Sequence, residues 1–419
     1  MTVQISKLPN GLRIATDKME SAESVVLGIW VGVGTRHEPW KAGGIAHMTE
    51  HMLFKGTKNR SAYALSSAIE KKGGSLNAHT TREETAYYAH VMPEDTGLAM
   101  DVLADMLQHS LFAPKEMDRE RQVILQEIGR DKDTPDEFIG DLTHEVAFPD
   151  QKMGRSILGT PKTIAHMPRQ NIVSYMKRHY HAGNIVIVAS GKVEHEKIAE
   201  LAEKYFNDLP TGNRTKTEKA KIKGGDLRVE RDIEQLHLML SFPAPSYKSP
   251  QAHAAALLGI LLGGSSSSRL FQKIREKRGL VYTISSWHLP FQDTGLLSIY
   301  AGTDPTRAQE LIPVLCNELE DVRAKITPSE LRRAKAQARA DILMNRESVM
   351  HRAENLGSHM LAHGRAPNID KILKKIKAVT EEDVRISALK LFSKKPIFAA
   401  LGPTENLEAY QTLADRIKA

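Results

Sequence analysis

Along this chain the hydrophobic positions change period, from one residue in three or four to one in two, and the change is written twice. Leu65-Ser-Ser-Ala-Ile-Glu-Lys-Lys-Gly-Gly reads as an amphipathic helix closed by glycine, and Leu270-Phe-Gln-Lys-Ile-Arg-Glu-Lys-Arg-Gly repeats the design. Each is followed by strand-like alternation, at Ser75-Leu-Asn-Ala-His and at Leu280-Val-Tyr-Thr-Ile. Farther on, Phe112-Ala-Pro-Lys-Glu and Ile326-Thr-Pro-Ser-Glu each open a long charged helix. Proline is tolerated there because its missing N–H would have had no partner. Each half then predicts a short helix and a buried strand stopped by glycine, Asn184-Ile-Val-Ile-Val-Ala-Ser-Gly and Pro396-Ile-Phe-Ala-Ala-Leu-Gly. The second of these helices begins Thr380-Glu-Glu-Asp, an N-cap arrangement.

Strands and long helices are thus mixed without regular βαβ alternation. The pattern predicts an α+β fold of two similar domains related by internal duplication, each a mainly antiparallel sheet packed with helices. At 419 residues the chain is long for a single core. The predicted divisions are 1–209, a linker over 210–226 rich in Gly, Thr and Lys, and 227–419.

Composition is that of a folded protein, 41% hydrophobic with 28 Gly and 19 Pro, which excludes disordered and collagen-like chains. The formal net charge is +7, part of it in Arg214, Lys216, Lys219, Lys221 and Lys223. Aromatics are 5% and do not interleave with basic residues, so no nucleic-acid partner is predicted. A single cysteine, Cys316, excludes an internal disulfide and a cysteine-based zinc site. The apolar run at 254–262 is too short to span a bilayer, and no membrane span is predicted. The amino terminus carries no apolar leader core. The expectation is a soluble chain of the bacterial cytoplasm, with the mitochondrial matrix as the alternative for a mature chain.

The sharpest local signal is His47-Met48-Thr49-Glu50-His51, framed by Gly43-Gly44 before it and Gly56 after it. On a helix, residues four apart share a face, so His47 and His51 can each direct a ring nitrogen at one ion. Glu50 falls on the flank of that face, where it can meet a water without being a ligand. Zinc in a hydrolytic site takes three protein ligands and keeps a position for water. A neighbouring carboxylate can accept the proton of that water as it attacks a peptide carbonyl. In a chain with 17 His the five-residue pattern arises by chance on the order of 0.04 times, which weighs against two merely solvent-facing histidines. The third ligand lies elsewhere. The segment from Asp118 onward predicts a helix with Glu120 and Glu127 on one face, and helical geometry alone does not choose between them.

These residues resemble a known family. The order His-x-x-Glu-His marks the inverzincins. The run Gly44-Ile-Ala-His-Met-Thr-Glu-His-Met-Leu-Phe-Lys-Gly-Thr is similar to the zinc motif of the pitrilysin family, in the branch of the mitochondrial processing peptidase β subunit and its bacterial homologues. In that branch the third ligand follows the second histidine by roughly 76 residues, which here falls on Glu127. The resemblance therefore implies one Zn2+ per chain on His47, His51 and Glu127, with Glu50 as general base and Glu120 orienting a ligand histidine. It extends through Asn77-Ala-His-Thr, Gly154-Arg-Ser-Ile-Leu-Gly and the segment from Leu270 to Tyr282. By the same resemblance Asn77, Ala78, His79 and Thr80 form an edge strand that pairs with substrate, and Arg275 and Tyr282 contact it from the second domain. Departures are small. Met48-Thr49 replaces the Phe-Leu often found inside the motif, and the stretch from Gly263 is shorter than the glycine-rich loop of the noncatalytic subunit.

The activity so implied is a zinc endopeptidase acting on extended or unfolded peptides, working as a homodimer in which the zinc domain of one chain faces the Arg275/Tyr282 domain of the other. A heterodimer with a related noncatalytic subunit is the alternative partnership. A noncatalytic core subunit of a respiratory complex is the alternative function, and the intact metal motif argues against it.

Overall fold

The computed structural model describes residues 3–418. Its first sheet contains β1 (Val3–Lys7), β2 (Arg13–Lys18), β3 (Val25–Val31), β4 (Ser75–Thr80), β5 (Thr85–Val91) and β6 (Ile185–Gly191), in the order β1-β2-β6-β3-β5-β4. The second contains β7 (Gly225–Glu230), β8 (Leu236–Ala244), β9 (Thr283–Pro290), β10 (Gly295–Thr303) and β11 (Ile397–Gly402), in the order β7-β11-β8-β10-β9. Among the described residues only β2–β6 and β7–β11 pair in parallel. Leaving out β1, the two orders coincide strand for strand, which is the duplication read in three dimensions. The fold is α+β with two similar mixed sheets, each packed with helices. No helix among the described residues is long and apolar enough to cross a membrane.

Contacts divide the chain into two units, and neither is contiguous. The first holds Met1–Gly129, Arg155–Glu218 and Leu343–Pro367; the second holds Arg130–Gly154, Lys219–Ile342 and Asn368–Ala419. Compared with the division 1–209, 210–226 and 227–419, one helix from each half has changed places. The helix Val349–His363 lies on the first sheet, and Pro135–Ala147 on the second. Residues 211–224 carry no regular element, and the last two positions of the predicted linker begin β7.

In the first unit the alternation of β3 sorts its side chains to two faces. Leu27, Ile29 and Val31 join a core with Met48 and Met52 of α1 (Ile45–Leu53), Leu65 of α2 (Ala62–Glu70), Leu103 of α3 (Thr96–His109) and Ile124 of α4 (Pro114–Lys132). Val26 and Trp30 face the other way, onto Leu356 and Met360 of the helix Val349–His363. Each such buried side chain contributes roughly 1.5–3 kcal/mol of transfer free energy. In the second unit Leu238, Leu240 and Phe242 of β8 share a core with Leu257, Leu258 and Leu261 of the helix Ala252–Gly263. Met239 faces Ile139 and Leu142 of the helix Pro135–Ala147, α5. The segment after Leu270, which periodicity assigns to an ordinary amphipathic helix, winds as a π-helix over Phe271–Glu276.

Candidate metal centre

The N-cap of α1 is Gly44, whose φ of +86° lies in the left-handed region. A Cβ there would stand 2.7 Å from the Leu158 carbonyl oxygen, so glycine is required on two counts. Gly44 has no side chain to cap the helix, and Glu38 does so from outside. Its Oε2 accepts from the Gly44 N–H at 2.9 Å and its Oε1 from the Ala46 N–H at 3.0 Å. Glu38 is fully buried, and that burial pushes its carboxyl up to about 8 against the pull of these hydrogen bonds and of Arg155.

His47 and His51 lie one turn apart on α1, their ring centroids separated by 4.5 Å. Their Nε2 atoms are 3.7 Å and 3.6 Å from Glu127 Oε2 on α4. Ligand atoms on arms of ~2.1 Å at tetrahedral angles stand ~3.4 Å apart, so the three atoms are spaced for one small cation. Glu127 Oε2 is itself buried and makes no hydrogen bond, a costly state for a carboxylate oxygen unless a cation faces it. Burial, and then His51, push the His47 imidazole down to about 3, which keeps its lone pair available. Two neutral imidazoles and a carboxylate fit zinc. Among the described residues no other His/Cys/Asp/Glu group is gathered in this way.

The outer atoms of the two imidazoles differ. His51 Nδ1 is 3.0 Å from Glu120 Oε2, and Lys55 Nζ is 2.7 Å from Glu120 Oε1. Burial tends to raise the Glu120 carboxyl, but the hydrogen bonds from His51 and Lys55 outweigh it and hold the carboxyl low. Burial tends to lower His51, and Glu120 with the charges of Glu127 and Glu50 raises it instead. His47 Nδ1 is buried with no hydrogen-bond partner. Glu50, on the flank of α1, is raised by burial, and a hydrogen bond from Thr80 Oγ1 to its Oε2 at 2.5 Å works against that rise.

The structure gathers His47, Glu50, His51, Glu120 and Glu127 with Thr80 in the first unit. β4, which carries Asn77, Ala78, His79 and Thr80, is an edge strand paired only with β5, from Ser75↔His90 to Thr80↔Thr85. Asn77 Oδ1 accepts from the Ala78 N–H at 2.8 Å, and burial lowers His79. Arg275 and Tyr282 belong to the second unit. The Arg275 guanidinium lies 4.6 Å from the centroid of the Phe271 ring, and Tyr282, 57% exposed, immediately precedes β9. Sequence reasoning missed Glu38 and Lys55. A glycine N-cap with an acidic residue shortly upstream, and a lysine four residues after His51, were the available signals.

A duplicated α+β fold with a His-x-x-Glu-His helix completed by a distant glutamate is a metallopeptidase-type architecture. The chain belongs to peptidase family M16. The profile described as Insulinase (Peptidase family M16) matches residues 13–161, and that described as Peptidase M16 inactive domain matches 166–338. A Rickettsia felis protein named uncharacterized zinc protease is 37% identical over 402 residues, spanning 96% of this chain and 98% of its own. A Bacillus subtilis protein likewise named is 34% identical over 400 residues, spanning 95% and 98%. In fold, the chain is similar to a protease from Helicobacter pylori (TM-score 0.88, 22% identity, 96% and 99% covered). It is also similar to a chain of complex III2 from Candida albicans (TM-score 0.89, 19% identity, 99% and 100% covered). Residues 227–419 contain no second His-x-x-Glu-His run, so the second repeat lacks this metal-binding motif.

Proposed function

We propose that this chain is a zinc-dependent endopeptidase that hydrolyses extended or unfolded peptides. The observation that carries this reading is the convergence of His47 Nε2, His51 Nε2 and a partnerless Glu127 Oε2, with Glu50 beside them. Zinc, when bound, would polarise the scissile carbonyl and make a water acidic enough to attack at neutral pH. Glu50 takes the proton of that water and returns it to the leaving amine. Glu120 holds the ring of His51 in one tautomer and orientation. An extended peptide adds to the outer edge of β4 along Asn77, Ala78, His79 and Thr80, which recognises backbone more than sequence. Arg275 and Tyr282 supply further substrate contacts from the second domain. Since residues 227–419 contain no second His-x-x-Glu-His run, we assign one zinc per chain.

Zinc analysis of the purified chain and cleavage of an unfolded peptide test the reading. Glu50→Gln retains zinc and loses turnover by about 10²- to 10⁴-fold, whereas His47→Ala, His51→Ala and Glu127→Gln lose the metal. A chain that binds no zinc, or one that cleaves as well with Gln at position 50, overturns it. Full zinc without cleavage points to a missing, related partner chain. The homodimer is tested by mixing a Glu50→Gln chain with an Arg275→Ala chain. Activity returns if one chain completes the site of the other, and its failure to return ends that part of the proposal. A bacterial cytoplasmic location accords with the Rickettsia and Bacillus relatives.

A further inference from the structure

We propose that Thr80 is the residue that positions Glu50 for proton transfer, an assignment that rests on the peptidase reading above. β4 places its side chains on alternate faces. Leu76 and Ala78 pack on the core that contains α1, and Thr80 shares their face. His79 points the other way, its ring 6.1 Å from that of Tyr88. The Thr80 hydroxyl therefore reaches α1, where Oγ1 donates to Glu50 Oε2 at 2.5 Å. Among the described residues it is the hydrogen bond that the Glu50 carboxylate makes.

A glutamate side chain on the flank of a helix has several rotatable bonds and needs something to fix it. Thr80 is suited to the task because a β-branched side chain has few rotamers and its backbone is registered against Thr85. The position of the hydroxyl is thus set by the sheet. With Oε2 engaged, Oε1 is the oxygen left to take the proton. The strand that offers its outer edge to a peptide is also the strand that orients the base. Peptide affinity and base orientation draw on different atoms of Thr80, the backbone for the first and the hydroxyl for the second.

This separation makes the assignment testable. Thr80→Val removes the hydroxyl with little change of shape, and Thr80→Ser keeps it. The Val chain is expected to bind zinc like the wild type and to keep KM within about twofold, while kcat falls about 10- to 100-fold. The Ser chain is expected to recover kcat to within about threefold. A crystal structure of the Val chain should show the Glu50 side chain released from its present orientation. The assignment is overturned if the Val chain keeps its kcat, if the Ser chain is equally impaired, if the loss is in KM, or if Glu50 stays in place. Should the wild type bind no zinc, the peptidase reading fails by itself. The crystallographic comparison still decides whether Thr80 holds Glu50.

Discussion

Glu120 Oε2 lies 3.0 Å from Nδ1 of His51, on the side of the ring opposite the nitrogen that faces Glu127. The pairing makes Nδ1 the protonated nitrogen and leaves the lone pair on Nε2. Glu120 in turn is held by Lys55, so the imidazole is oriented through a chain of two charged groups. Glu120→Gln is therefore expected to retain the fold and weaken zinc binding by about 10- to 100-fold, because the amide is a poorer acceptor for the Nδ1 proton. Glu127→Gln removes a carboxylate oxygen from the proposed ligand set and is expected to lose zinc outright. Competition against a chromophoric chelator measures both. Equal affinities for the two variants would mean that the two carboxylates do not divide the work in this way.

The loop between α1 and α2 is fastened by one buried carboxylate. Asp105, 3% exposed, accepts from Thr57 Oγ1 at 2.7 Å, Asn59 Nδ2 at 2.7 Å and Arg60 Nη1 at 2.9 Å. Burial tends to raise its carboxyl, and the hydrogen bonds from Thr57, Arg60 and Asn59 together outweigh that and hold it below the ordinary value. A depressed carboxyl contributes stability that is complete above the unfolded value, and that stability is lost as the pH falls through the folded one. Asp105→Asn is expected to cost on the order of 1–3 kcal/mol at neutral pH, because Arg60 loses one of its two carboxylate partners and keeps Asp101. It should also flatten the acid side of the stability profile. Thermal denaturation from pH 3 to pH 7 of both chains gives the comparison, on a scale of ~2–4 °C per kcal/mol.

Much of this architecture is written in local pattern. The helix starts at Pro114, Pro328 and Thr380, the glycine stops at Gly191 and Gly402, and the two His of α1 all follow from spacing within a few turns. What escaped is what depends on distant partners. The face of α5 that carries Ile139 and Leu142 demands burial, but periodicity does not say which sheet will bury it. Glu120 and Glu127 share one face of α4, and what separates them is the imidazole nitrogen each one meets. Thr80 and Glu50 are thirty residues apart, and only the closing of β4 against α1 joins them.

Glu38 sets up a pH dependence of the opposite sign to that of Asp105. Its carboxyl moves from the ordinary 4.5 to about 8, chiefly because it is fully buried beneath the start of α1. The folded chain therefore holds a proton that the unfolded chain releases near 4.5. The associated stability is complete below 4.5 and declines as the pH rises to about 8, by an amount on the order of a few kcal/mol. Glu38→Gln cannot ionise, and its single carbonyl can accept from only one of the Gly44 and Ala46 N–H groups. The variant is expected to start less stable at pH 5 and to lose less between pH 5 and pH 8.5. Parallel curves for the two chains over that range would show that Glu38 keeps its charge when buried.

Gly357 sits where the helix Val349–His363 crosses Trp30, and a Cβ there would lie 2.4 Å from the indole ring. Helix propensity by itself favours alanine over glycine by about 1 kcal/mol in a helix interior, so an unconstrained Gly357→Ala would stabilise the chain. The ring has no room to yield, since Trp30 is fully buried with Leu356 and Met360 around it. Overpacking of this kind costs about 1–3 kcal/mol, which exceeds the gain in propensity and reverses the sign. Urea denaturation of Gly357→Ala is expected to show that net loss. Trp30→Leu alone leaves a cavity and is destabilising, but in its background Gly357→Ala no longer meets the indole. The double-mutant cycle should therefore show a favourable coupling of about 0.5–3 kcal/mol. Simple additivity would mean that the helix moves away from Trp30 at little expense, and that the close approach is not what keeps glycine at position 357.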